Sequence, residues 1–164
     1  MSTADIYQLN GFDLIPMTEH DLLEVVEIEE MCGLSRWGWE GYQTELQSQE
    51  SSLMLVARTW TAGVGHEDER IAGFIAARLA AHELHINNVA VRPRYRRRGI
   101  GGALLAAVVE KSKERGAQRG FLEVRASNMA AQHLYARHGF AVVGRRARYY
   151  TQPSEDALVM AVTL

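Results

Sequence analysis

The chain has 164 residues with a formal net charge of −2, and its 47% apolar content is that of an ordinary soluble globular protein. One domain over residues 1-164 with a substantial core fits that length, and a slightly acidic balance argues against a protein that coats nucleic acid. No apolar run reaches the roughly 18 residues of a membrane span, the start lacks a basic segment followed by an apolar core, and the single cysteine, Cys32, can close no internal disulfide and sits in no metal-ligand cluster. The cytoplasm is the simplest compartment for such a chain.

Phe12 to Pro16 reads as a first strand. Thr18 followed by Asp21 has the form of a capping box with Asp in place of Glu, and Leu22, Val25, Val26, Ile28 and Met31 continue it as a helical stripe. A shorter helix is expected over Glu40 to Gln47. Between them lies CGLSRWGW, whose Trp37 and Trp39 are either packing anchors or the lining of a substrate groove. Leu53 to Thr59 reads as a strand, and Trp60 to Glu69 as a polar hairpin connection. Ile71 to Leu79 and His82 to Val91 are the next two strands. A helix from Gly101 to about Arg115 ends at Gly116, and Gly120 to Val124 is a strand. Asn128 caps a helix that runs through Leu134 and Tyr135 to Gly139. Phe140 to Gly144 and Ala157 to Val162 complete the chain. The order β-α-α-β-β-β-α-β-α-β-β predicts a mixed sheet flanked by helices, in the α/β or α+β class.

The stretch from Asn87 to Lys111 organises the rest. Val89, Ala90 and Val91 are small and apolar, Pro93 stops the strand, and Arg92, Arg94, Arg96, Arg97 and Arg98 crowd the turn. Gly99, Gly101 and Gly102 then expose backbone amides at a helix start, where unpaired N–H groups and a partial positive charge suit a phosphate. The spacing is neither that of the ATP-type loop nor of the dinucleotide fingerprint, which would need glycine at Leu104.

What stands there is R-x-x-G-x-G: Arg96, Gly99 and Gly101, with Gly102 beside them. It resembles the pyrophosphate loop of the GNAT superfamily of N-acetyltransferases, which holds the diphosphate of acetyl-CoA. The downstream segment GFLEVRASNMAAQHLYARHGFAVVGRRARYY, followed by EDALVM, is similar to the RimI-like branch, the ribosomal-protein alanine N-acetyltransferases and related N-terminal acetyltransferases. The likeness runs from about Asn87 to Met160; before Asn87 it lies mainly in layout. That branch usually carries Pro-Trp in the loop between its first helices, where this chain has Arg36 before Trp37. The resemblance implies a mixed, mostly antiparallel sheet and acetyl-CoA as cosubstrate with no metal. The acceptor it implies is a protein N-terminal amine, the N-terminal alanine of a small-subunit ribosomal protein. It also implies that the backbone of Val89, Ala90 and Val91 pairs with the pantetheine arm. Arg97, Arg98, Gly99, Ile100, Gly101 and Gly102 would wrap the diphosphate, and Asn128 would touch the cofactor.

Acetyl transfer to an amine needs a neutral nucleophile, a donor for the developing oxyanion, and a proton for the departing thiolate. An α-amine, with pKa near 7.7–8.0, costs roughly 3 kcal/mol less to deprotonate than a lysine. Glu123, in the apolar strand FLEVR, is the candidate base, in the place of the family's glutamate; the plain alternative is a strand glutamate paired with Arg125 or Arg119. Partial burial would raise its pKa toward the working range. His82 and His85 are rival bases, more simply read as surface or packing histidines. Tyr135, matching the family's helix tyrosine, is the candidate acid, against a core aromatic with a satisfied hydroxyl. Tyr149 and Tyr150 are expected in the connection between the last two strands, where the family's acceptor site is bordered; Trp37 is the third acceptor-side candidate. Arg92 and Arg94 are expected to stay solvated, the alternatives being the ribose 3′-phosphate or an acidic partner, and Cys32 to be a small buried thiol rather than an acetyl carrier.

Three other readings compete. One keeps the chemistry and changes the acceptor to lysine or to several N-termini. Another is a non-catalytic acyl-CoA sensor, against which the presence of both Glu123 and Tyr135 argues. The last is an RNA-binding protein using the arginine turn, against which stand the acidic balance and Tyr95 as the lone stacking aromatic there.

Overall fold

A computed structural model describes residues 7–60 and 70–164. The expected connection from Trp60 to Glu69 therefore lies, apart from Trp60, outside the described residues. Among the described residues eight strands form one sheet: β1 (Tyr7–Leu9), β2 (Phe12–Pro16), β3 (Ser52–Thr59), β4 (Ile71–Ala80), β5 (Glu83–Val91), β6 (Arg119–Arg125), β7 (Ala141–Thr151) and β8 (Ser154–Thr163). Their spatial order is β1-β2-β3-β4-β5-β6-β8-β7. Only β5 and β6 run parallel; every other pairing is antiparallel. The helices are α1 (Leu22–Met31), α2 (Gly38–Gln47), α3 (Ile100–Glu114) and α4 (Met129–Arg137). No helix among the described residues is long and apolar enough to cross a membrane.

The middle strands are apolar on both sides because both faces are covered. In β3, Leu53, Leu55 and Ala57 join the cluster that includes Leu104, Leu105 and Val108 of α3, while Met54 and Val56 pack with Leu22, Val25 and Ile28 of α1. Period-2 alternation thus feeds two cores from one strand. The Thr18–Asp21 box forms, with the Thr18 N–H donating to Asp21 Oδ2 at 2.8 Å. Asp21 also takes Arg58 Nη2 at 2.8 Å, tying the helix start to β3.

Several expectations are corrected. β1 was not foreseen. Three residues carry little periodicity, but Asn10-Gly11, both at positive φ (23° and 91°), make the two-residue turn that an Asn-Gly pair signals. β5 begins at Glu83, because Ala81 and His82 form another turn with positive φ. α2 starts two residues early, since the carboxylate of Glu29 accepts the N–H groups of Trp37 and Gly38 and caps it from α1. β7 and β8 are longer than expected, so Tyr149 and Tyr150 lie within β7 rather than in the connection. Arg92 is not solvated: it is 1% exposed, donates through Nε to Ile71 O at 2.8 Å, and pairs with Glu27 at 2.9 Å. The guanidinium of Arg94 lies over the Tyr95 ring at 5.2 Å.

One irregularity positions the site. Ala76 faces Asn88 and Ala77 faces Ile86, so Asn87 is an extra residue in β5 with no partner on β4. A bulge bends its strand. The parallel pairing of β5 with β6 stops at Ile86–Leu122, and the two strands part from there on.

Candidate active site

The parting of β5 and β6 leaves one edge of β5 unpaired. Arg92 N–H donates to Ala72 O of the β4 side. Alternation then directs the polar groups of Ala90 to β4 and those of Val89 and Val91 into the gap. Val91 O accepts there from Arg96 Nε at 3.0 Å and from the Cys32 thiol at 3.6 Å. An open strand edge is a template for an extended amide-bearing chain.

A hollow of about 670 Å³ runs along this edge to the start of α3. Val89, Ala90, Val91, Arg97, Gly99, Ile100, Gly101, Gly102 and Asn128 all line it, joined by Arg96 and Arg137, and no carboxylate does. Gly99, at φ 77°, ends the turn in a left-handed conformation, and Arg97 (φ 63°) is left-handed as well. The first intrahelical acceptor is Gly99 O, bonded by Ala103 N–H at 3.0 Å, so the preceding amides have no carbonyl of the helix to serve. A Cβ on Gly101 would stand 3.4 Å from Leu134, and one on Gly102 3.3 Å from His138, so side chains there would crowd α4. Bare amides, a helix start and arginines with no carboxylate among the described lining residues suit a polyanion such as a diphosphate. Arg98 is not among the lining residues; its guanidinium lies 5.5 Å from the Tyr95 ring and braces the turn.

A second hollow of about 200 Å³ adjoins the first and shares Cys32, Leu34, Val89, Asn128 and Ala131 with it. It brings together Glu123, Tyr135, Tyr149, Tyr150 and Trp37, residues far apart in the chain. Trp39 does not line it and is 43% exposed. The Glu123 side chain is 32% exposed, and its carboxylate faces Arg146 Nη2 at 3.5 Å, not Arg125 or Arg119. Tyr135 is buried on α4 with its ring 6.2 Å from Phe140. Burial, and secondarily the phenol of Tyr150, push its pKa up to about 12. Tyr150 is also pushed up to about 12, first by burial and then by Tyr149, with Arg125 pulling the other way. Both phenols are proton donors at neutral pH. Asn128 caps α4 by accepting Ala131 N–H at 3.1 Å.

The walls are held by residues the sequence did not single out. Arg125 lies 4.2 Å under the Tyr150 ring and donates to Gln152 O and Pro153 O, both at 3.2 Å. Glu155 accepts Ser127 N–H at 2.6 Å. Asp156 accepts Arg148 N–H at 2.9 Å and Arg145 Nε at 2.7 Å, which fixes the irregular stretch of β7 before Tyr149. On the other wall, Glu29 also accepts from Tyr42 OH, and Asn88 Nδ2 donates to the same hydroxyl at 2.8 Å. A polar chain buried among apolar strands in this way fixes the loop that carries Trp37. In the sequence Glu29 is one of four glutamates of α1, and only its place four residues after Val25, on the buried face, sets it apart.

The rival histidines stand elsewhere. His82 Nδ1 is 3.0 Å from Gly116 O, and His85 stacks on Phe121 beside Glu83. Neither lines the hollow of Glu123. Cys32 is half-buried and borders both hollows. Among the described residues no group of His, Cys, Asp and Glu is placed to hold a metal ion.

Known proteins resemble this arrangement. The model of the acetyltransferase (GNAT) family matches residues 22–140. The [ribosomal protein bS18]-alanine N-acetyltransferase of Haemophilus influenzae is 33% identical over 147 residues, covering 88% of this chain and 93% of that one. A Bacillus subtilis relative that carries the same assignment provisionally is 35% identical over 148 residues, 90% of this chain and 93% of its own. The crystal structure of the ribosomal-protein-S18-alanine N-acetyltransferase from Escherichia coli superposes with a TM-score of 0.76 at 30% identity over 92% of each chain.

Proposed function

Because this chain belongs to the GNAT family of acetyltransferases and is thus an acetyl-CoA-dependent N-acetyltransferase, we propose that its acceptor is a protein N-terminal amine. The specific acceptor in this reading is the N-terminal alanine of a small-subunit ribosomal protein, met in the cytoplasm. The observation that carries the reading is the junction of the two hollows, with Glu123, Tyr135, Tyr149 and Tyr150 at the smaller one. The bS18-alanine activity of the relatives is its second support.

When bound, acetyl-CoA supplies the activated acyl group as a thioester. Val89 and Val91 present strand-edge N–H groups to its extended arm, and the amides at the start of α3 with Arg96 and Arg97 receive its diphosphate. Glu123 takes the proton of the attacking α-amine, directly or through water, a modest task because that amine titrates near 7.7–8.0. The Tyr135 hydroxyl donates toward the departing sulfur. Trp37, Tyr149 and Tyr150 close the acceptor side and limit water.

Acetyl transfer to two peptides tests this: one with a free N-terminal alanine, the other with a blocked N-terminus and an internal lysine. Transfer to the first alone is expected, and Glu123→Gln should lower kcat by roughly 10²-fold with acetyl-CoA affinity little changed, in the range of positioned acid–base groups. Transfer to the blocked lysine peptide instead would overturn the N-terminal assignment.

A further inference from the structure

The bulge that opens the active site also leaves an amide unused. Asn87 is exposed, and its side-chain amide makes no hydrogen bond among the described residues. It borders the hollow of Glu123 and Tyr135 and, behind Trp37, a further hollow of about 330 Å³. Trp37 and Asn87 are the residues those two hollows have in common, so together they form the sill between them. Trp37 is held there by Glu29 at its own N–H and by the Tyr42 ring at 5.3 Å.

Beyond the sill the lining is polar but already neutralised. Arg78 Nε donates to Glu45 Oε1 at 3.0 Å and its Nη2 bonds Oε2 of the same carboxylate. His85 has its ring against Phe121 and its Nε2 on Glu83 at 3.3 Å. With Arg78 and Glu45 paired to each other, the described lining residues hold no unpaired arginine or carboxylate with which to select a charged side chain. A primary carboxamide, by contrast, has one acceptor and two donors, the complement of a peptide group.

Resting on the N-terminal-amine reading above, we propose that Asn87 and the hollow behind Trp37 form a downstream acceptor subsite. Asn87 pairs with a backbone amide of the acceptor a few residues beyond the reacting amine, and the following segment passes over Trp37 into the Glu45–Arg78–His85 hollow. The ligand class is an extended polypeptide backbone, read with little regard to side chains. Sequence preference is then confined to the first residues, inside the Glu123 hollow, and acceptor length adds affinity independently.

The test uses the full chain and three peptides with the same N-terminal alanine: a tripeptide, a hexapeptide extended with glycine and alanine, and a hexapeptide extended with charged residues. The expected result for the unaltered protein is a kcat/KM about tenfold higher for either hexapeptide than for the tripeptide. In Asn87→Leu, which keeps the bulk and removes the hydrogen bonds, that ratio should fall about fivefold, the worth of one net hydrogen bond. His85→Trp, which fills the hollow, should abolish the length effect independently. An acetyl-CoA Kd within about twofold of the original shows that each variant is folded; if one fails this, the other decides. A length ratio unchanged in the folded variants, no length effect in the unaltered protein, or a gain confined to the charged extension overturns the proposal. Transfer to none of the free N-termini but to a blocked lysine peptide fails the underlying reading instead, and the two failures are distinguishable.

Discussion

Replacing Tyr135 by Phe isolates one hydroxyl. The ring is buried beside Phe140, so the variant keeps its packing and its stability should change by no more than about 1 kcal/mol. The magnitude follows from the pKa. A phenol pushed up to about 12 faces an ordinary thiol at about 8.5, a gap of about 3.5 units or roughly 5 kcal/mol against complete proton transfer. Tyr135 therefore contributes chiefly as a hydrogen-bond donor to the charge that develops on sulfur. A hydrogen bond to a charged acceptor is worth about 1.5–3 kcal/mol, so kcat should fall by roughly 10- to 150-fold. The assay is thiol release at saturating acetyl-CoA, with the acceptor peptide varied through its KM, from pH 6 to 10. A group with pKa about 12 is neutral throughout that range, so it imposes no alkaline limb. kcat/KM should rise through the acceptor amine's pKa near 7.7–8.0 and then stay level, in Tyr135→Phe as in the unaltered protein. A loss below about threefold would refute the assignment. An alkaline limb near pH 9 that the variant lacks would keep the assignment but refute the hydrogen-bond account, because the phenol would then be titrating far below its expected value.

Two further outcomes follow from the acceptor wall. Arg125→Met should remove the donors to Gln152 O and Pro153 O and the cation beneath Tyr150, a loss of about 2 kcal/mol. Thermal unfolding should shift down by about 4–8 °C and acceptor KM should rise about tenfold, with acetyl-CoA Kd within twofold; unchanged acceptor KM would show that the hairpin needs no such brace. Glu155 and Asp156 are held below their ordinary values of 4.5 and 3.8, Glu155 first by Ser127 and Asp156 first by the Arg148 N–H. A lowered folded pKa contributes stability that is complete above the unfolded value and is lost as pH falls through the folded one. Melting temperature should therefore drop as pH falls below about 4.5, and less steeply in Glu155→Gln. Equal slopes in both proteins would remove the carboxylate from that account.

The strand, turn and helix start that line the larger hollow were legible in the chain because they are local. A strand of Val89, Ala90 and Val91, a turn closed by Gly99 and a helix start at Ile100 are contiguous, and left-handed backbone at Gly99 is a property of the residue itself. Element types followed from periodicity for the same reason. The resemblance of the FLEVR and LYARHGF segments then singled out Glu123 and Tyr135 as candidates. What periodicity could not carry was partnership across the sheet. Arg92 reads as one more arginine of a basic turn, yet Glu27 of α1 and Ile71 O of β4 draw it inside. Glu123 has arginines at hand in its own strand, but its ion partner comes from β7. The extra residue at Asn87 leaves no mark in a stretch of two asparagines, since a bulge exists only relative to the strand alongside. The chain by itself determined the type of most elements and the glycine-and-arginine turn before α3, because those rest on contacts between near neighbours. The tertiary structure alone decided the parting of β5 and β6, the ion pairs of the acceptor wall and the meeting of the hollows, because each needs segments that the sequence keeps far apart.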